Sequence, residues 1–322
     1  MAIGWRVAAV IVVGLLGIAA SPAGSPLREL RWLAPGTDRV AALTRRPAEC
    51  LTPPNSAEAR YAVEVGRVAF RTPMLLGGQA ARAGLACESC HRNGRTNPVF
   101  SFPGLSGAPG TADVTSALFS TRRDDGIDNP RPIPDLGGDK HRLRINQSTA
   151  SGALPAFIHG LVVDEFDGHE PPAAVLAGLA AYVRAMDPAS CAHKDTVPVT
   201  AESLIAEASR AVRTAVMALD RNDPATAILM VEGARWQLGR IDERYALPGL
   251  EAQRASIRSA ALDLTAALAA IHTNGHTARD QLTVWQARVP TWAKAIKEHE
   301  AASLFEPRVI MAHLAADTET AR

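Results

Sequence analysis

Cys87-Glu88-Ser89-Cys90-His91 is a C-x-x-C-H pentapeptide, the pattern by which a c-type haem is attached covalently to a polypeptide. Its two thiols add across the porphyrin vinyl groups as thioethers, and two intervening residues match their separation to the porphyrin edge. The histidine that follows directly lies under the ring, where its imidazole can take the iron as proximal ligand. With four Cys and nine His in 322 residues, a chance match is expected in about one such chain in a thousand. The alternatives are a disulfide or half of a zinc site, but zinc needs a second ligand pair at matched spacing and none follows. One covalent haem c is therefore implied, tethered by Cys87 and Cys90 with His91 on the iron.

The N-terminus agrees. Arg6 precedes an apolar run from Val7 to Ala20, and small residues follow through Ala23-Gly24. Residues 1–24 read as a secretory signal peptide, with an uncleaved anchor as the alternative; the run is short for a membrane span. Either way the mature domain is expected outside the cytoplasm, in the periplasm of a bacterial cell, where c-type haem is attached. A membrane association follows only if the N-terminal segment stays uncleaved. Two cysteines are left over, Cys50 and Cys191. In an oxidising compartment they read as a disulfide, against the alternative of two buried free thiols. Closing a loop of that length would contribute up to roughly 5 kcal/mol in the chain-entropy view. A net charge of +1 without a basic patch argues against nucleic acid as a partner.

The chain has two halves with different patterning. Residues 25–195 are rich in Gly and Pro and carry short helices, one over 60–70 with Tyr61, Val65 and Val68 on one face and Ser56 as its cap. From the pentapeptide to residue 155 the spacing of Pro and Gly predicts mostly loop, and long loops of this kind wrap around something. Pro171-Pro172 opens a helix to about Asp187, with Leu176, Leu179, Tyr182, Val183 and Met186 at helical spacing, expected to pack on the N-terminal helix. Residues 200–322 carry four longer stripes: Leu204 to Leu219, Val231 to Tyr245, Ile257 to Ile271, and Leu282 to Ile296. Short turns between them predict an antiparallel four-helix bundle of unknown role, its fourth helix kinked or ended early by Pro290. The fold class is all-α.

Beyond the pentapeptide, Gly77 to His91 resembles the approach to the haem site in the bacterial di-haem cytochrome c peroxidase superfamily. Asp124-Asp125-Gly126 with Ile133-Pro134-Asp135-Leu136, and Ala156-Phe157-Ile158-His159-Gly160, are similar to later segments of that superfamily. Leu179 to Met186 resembles the last helix of a class I cytochrome c fold. The resemblance covers about residues 58–188 and implies a class I-like cytochrome c domain with long loops. Superfamily enzymes carry two C-x-x-C-H sites, one relaying electrons and one reacting with substrate, whereas this chain has one. A two-haem relay within the polypeptide is excluded.

The iron's far side then decides the function, since Met or His there favours electron shuttling and an open position favours peroxide or gas chemistry. His159, about a dozen residues before the last helix, and Met74 are the candidate distal ligands. Met186 is expected to be core, and His141, His169 and His193 to be solvated. Arg122-Arg123-Asp124-Asp125 either pairs with haem propionates or forms an exposed turn. His272 and His276 flank a turn, so a shared metal is not expected. The reading favours a monohaem electron carrier serving redox partner proteins of an exported electron-transfer chain, with no catalytic residue assigned. A peroxidase-like enzyme or a haem-based sensor with an open distal site stands as the alternative.

Overall fold

The computed structural model describes residues 25–122, 126–139, 143–191 and 196–320; the expected signal segment lies outside them. Helices dominate. The first half contains α1 (Arg39–Thr44), β1 (Arg45–Pro47), α2 (Ala57–Phe70), α3 (Gly78–Ala83) and α4 (Cys87–Cys90). The hairpin β2 (His91–Arg92) and β3 (Arg95–Thr96) follows, then β4 (Thr111–Ala112) paired antiparallel with β5 (Arg131–Pro132), and α5 (Ala153–Gly160) and α6 (Ala173–Ala185). As the turn residues predicted, most of the chain between α4 and α5 is irregular.

α2 starts where Ser56 Oγ accepts the Ala59 N–H at 3.1 Å, which satisfies one of the orphan donors of the first turn. Tyr61, Val65 and Val68 are buried, and the helix packs on α6 with Val65 against Gly178. The two helices meet at Gly66 and Gly178. A Cβ on Gly66 would stand 1.9 Å from the Gly178 carbonyl oxygen, and one on Gly178 would stand 2.8 Å from the Ala62 oxygen. Only paired glycines permit backbones this close. α6 buries Leu179, Tyr182, Val183 and, at its C-terminal cap, Met186; Leu176 is half-covered and Val175 takes the core place beside it.

After β6 (Thr196–Pro198) the chain forms α7 (Ala201–Leu219), α8 (Pro224–Arg244), α9 (Glu251–Thr273), α10 (Gly275–Glu298) and α11 (Pro307–Thr320). α7 packs on α8, α8 on α9, α9 on α10 and α10 back on α7, which closes a four-helix bundle. Its turns are short because capping residues sit at the breaks: Asp223 accepts from Thr226, and Asn274 accepts from His276 and Thr277. Pro290 does not end the fourth helix early: α10 continues past it to Glu298. Pro290 is solvent-exposed, so the Gln286 carbonyl that loses its helical donor can be satisfied by water.

One hydrophobic core runs through both halves, from Val65, Leu179 and Tyr182 to Leu204, Leu238 and Trp285, because α2 packs on α7 and α8 as well as on α6. Two further ties hold the start of the first half to its end. β1 pairs antiparallel with β6 (Arg45 opposite Pro198, Pro47 opposite Thr196). Cys50 and Cys191 form the disulfide, across a separation of 141 residues. The N-terminal strap (Leu27, Leu43) packs on Leu304 and Ile310 near the C-terminus.

Candidate haem site

α4 is a single turn entered from α3 through Gly84, which stands in the left-handed region at φ 77°. The Ala86 N–H donates to Ser89 Oγ at 3.1 Å and so fixes the first turn. Cys87 and Cys90 stand three apart at the two ends of this turn, and His91 follows as its C-terminal cap at φ −117° and ψ 72°, where the chain enters β2. Asn97 closes the far end: its N–H donates to the Cys90 carbonyl at 3.0 Å and its Nδ2–H to the Ser89 carbonyl at 2.8 Å. Both carbonyls would otherwise be unpaired helix-terminal acceptors.

The hairpin that follows turns on Asn93-Gly94, with φ values of 49° and 80°. Positive φ at both central residues belongs to the type I′ turn, whose twist matches paired strands. Asn-Gly was a readable signal inside the segment expected to be loop. Asn93 is anchored three ways: its N–H donates to Glu88 Oε2 at 3.0 Å, its Nδ2–H to the Pro47 carbonyl at 2.7 Å, and its Oδ1 accepts from Arg71 at 2.7 Å. Gly94 lies against the core residue Met186, whose Sδ would be 2.4 Å from a Cβ there.

The hairpin docks a remote segment. The Gly94 carbonyl accepts the Leu136 N–H at 2.9 Å, and Thr96 Oγ1 donates to the Ile133 carbonyl at 2.9 Å. Between these two anchors the Pro134 carbonyl meets His91 Nδ1 at 3.0 Å. A carbonyl only accepts, so Nδ1 carries the proton and Nε2 keeps its lone pair. Burial pulls His91 down to about 4, against the opposing pull of the Pro134 hydrogen bond and Asp135, so the ring is neutral at pH 7. Burial likewise pushes the Cys87 and Cys90 thiols up to about 12, which keeps them protonated.

Several large apolar side chains in this half are only half-covered: Phe102, Leu118, Leu136, Ile158 and Phe166 rest on the core without being enclosed by it. Phe157 (43% exposed) and Met74 (54%) are open to solvent. Phe70 places its ring 6.4 Å from the His91 ring and edge-on to Tyr182 at 5.3 Å. Two thiols and one free imidazole nitrogen within five residues, in a half with uncovered apolar surface, fit a flat apolar group that carries a metal. Among the described residues no cluster of three or more His, Cys, Asp or Glu could hold a bare ion.

The distal candidates are placed as follows. His159 is on α5 with Nε2 2.7 Å from Glu170 Oε2. Met74 is in the turn Pro73–Leu75 between α2 and α3. Neither touches His91 among the described contacts. Met186 is buried core, and His169 is exposed. His141, His193 and Arg123-Asp124-Asp125 lie outside the described residues. His272 closes α9 and His276 opens α10, with Asn274 between, so the two do not share a helical face.

Behind the site runs a buried charge network that was not anticipated. Arg67 on α2 and Arg71 at its C-terminal cap both reach Glu49 (2.6 and 2.8 Å), and Arg67 forks onto Glu207 of α7 with two contacts of 2.7 Å. Tyr182 donates its hydroxyl to Glu49 at 2.5 Å. Burial alone would raise Glu49, but Arg71 and Arg67 hold its carboxyl well below the usual range. Two arginines four apart, the second at the cap of an apolar helix, were the available signal. No protein family, curated protein or solved structure matches this chain.

Proposed function

We propose that this chain is an exported monohaem c-type cytochrome that transfers single electrons, its first half a class I-like cytochrome domain and its bundle a scaffold or docking unit. The observation that carries the reading is the His91 Nδ1–H bond to Pro134, in the residue that directly follows the two cysteines. It holds the imidazole in the tautomer an iron ligand needs and fixes its orientation through a partner 43 residues away. A haem bound there supplies a one-electron iron couple. The chain's own part is to tether it through Cys87 and Cys90, offer His91 Nε2, and cover its faces with the half-buried apolar side chains. Redox partner proteins outside the cytoplasm, in the periplasm, are the implied donors and acceptors. His159 or Met74 completes the iron in this reading.

One contact favours a second reading. Glu170 engages His159 Nε2, and a far side left open would suit a peroxidase-like enzyme or a haem-based sensor. The visible spectrum separates the two: low-spin bands in both redox states support transfer, and a high-spin ferrous form that binds CO supports the alternative. The covalent haem itself is tested by intact mass after expression with a competent haem-maturation system. A gain of one haem, lost in Cys87→Ala and Cys90→Ala together, is expected; the bare processed chain would sink the proposal.

A further inference from the structure

Beside α4 lies a cavity of about 60 Å³ whose wall includes neither Cys87, Cys90 nor His91. α4 supplies Glu88 and Ser89 to its wall, β2 supplies Arg92, the N-terminal strap supplies Arg28, Glu29 and Arg46, the C-terminal cap of α2 supplies Arg71, and α8 supplies Trp236 and Arg240. Five guanidinium groups thus face two carboxylates. Some are neutralised: Arg28 pairs with Glu243 and stacks over Trp236 at 4.6 Å, Arg240 pairs with Glu29 at 2.6 Å, and Arg71 pairs with Glu49. Two are not. Arg92 spends its Nη2 on the Ala42 and Arg45 carbonyls, and neither Arg92 nor Arg46 has a carboxylate within ion-pair distance among the described residues.

Unmet donors point the same way. The Nε–H groups of Arg46 and Arg71 are buried and meet no acceptor; Glu88, the nearest carboxylate to Arg71 Nε, stands 4.0 Å away. A buried donor left unmet costs about 1–3 kcal/mol, and more when it belongs to a charged group. Burial, with Arg71 and Arg240 nearby, also lowers Arg46 from its ordinary value despite the opposing pull of Glu88 and Glu207. Water could fill the hydrogen bonds but would leave the excess positive charge.

We propose that this cavity binds one small oxyanion, a phosphate-like or carboxylate group gripped by Arg46 and Arg92. Guanidinium forks match the paired oxygens of such groups, which a spherical ion does not offer. Size sets the class. A single water needs ~10–15 Å³ on the same measure, so the space takes a group of a few heavy atoms and excludes a nucleotide. Because the wall draws on the haem peptide, the strap and α8, the anion would tie the three together. The site stands independently of the haem reading.

The test is calorimetry on the full mature protein with inorganic phosphate and, separately, acetate, at constant ionic strength, paired with thermal unfolding. Expected is saturable binding of one phosphate or acetate per chain, with a rise in melting temperature. Arg46→Gln and Arg92→Gln should each weaken it by at least about tenfold, the loss of one charge-assisted hydrogen bond, while Arg308→Gln, an exposed surface change, leaves it unaltered. Removing the unpaired charge should also make Arg46→Gln no less stable than the parent in anion-free buffer, so misfolding would not mimic the result. No saturable binding of either anion, or binding indifferent to both cavity substitutions, overturns the proposal.

Discussion

His91 depends on groups that act on a single atom each. Pro134 takes its Nδ1 proton, burial keeps the ring neutral, and Asn97 and Ser89 hold the turn that carries it. The charge network behind it is equally specific, since Arg67 divides its guanidinium between Glu49 and Glu207. Glu207 is on α7, so this residue pair crosses from one half of the chain to the other. Glu207→Gln should leave the Arg67 charge under-compensated in a buried place and lower stability by about 3 kcal/mol, the usual cost of breaking such a pair. The double change Arg67→Met with Glu207→Leu removes both charges and should cost less than the single one. Urea unfolding of the parent and the two variants decides it; a double variant that loses as much as Glu207→Gln or more would show that the pair is not an isolated exchange of charge.

At the level of elements, the α2–α6 crossing is the joint on which the first half is built. Gly66 and Gly178 bring two backbones into direct contact, and Tyr182, one turn further along α6, then reaches Glu49 while its ring meets Phe70. Gly178→Ala would set a Cβ 2.8 Å from both the Ala62 oxygen and the Gly66 nitrogen. Backbone atoms cannot rotate aside, so the helices must separate, and a loss of about 3 kcal/mol is expected from overpacking. Gly239, on α8 with nothing within 4 Å of where a Cβ would stand, is the control: Gly239→Ala should gain up to about 1 kcal/mol of helix propensity. Equal melting temperatures for the two alanine variants would show that the crossing is not tight. The bundle helices were legible as elements because their stripes and caps are local. The unbroken course of α10 through Pro290 was not, because the cost of a proline depends on which way the freed carbonyl faces, and that is set by the packing of α10.

For the molecule as a whole, stability against acid follows from how its carboxylates are held. Burial would raise Glu29, but Arg240, Arg244 and Arg92 bring it down from 4.5 to about 2. A carboxyl whose folded value is depressed stabilises the fold fully above its unfolded value, and that contribution is lost as pH falls toward the folded one. For Glu29 the window is 4.5 to about 2, worth about 3 kcal/mol at ~1.4 kcal/mol per pH unit. Glu49 and Glu207 shift in the same direction. Glu243 and Glu300 are raised by burial and work the opposite way, losing stability as pH rises through their folded values. The sum predicts steep destabilisation below pH 4.5, measured by urea midpoints at pH 7, 4.5 and 3, and a shallower slope in Glu29→Gln. A parent protein equally stable at pH 3 and pH 7 would contradict it.

Local chemistry was enough to mark the helix stripes, the Ser56 cap and the pairing of Cys50 with Cys191, because each rests on residue types at short spacing or on simple counting. The partner of His91 was not readable, since nothing near residue 91 announces a carbonyl at position 134. Nor was the arginine-lined cavity, whose walls come from segments up to about 200 residues apart. Those meetings exist because α2 packs on both α6 and the bundle, and a contact made by three-dimensional packing leaves no periodicity along the chain.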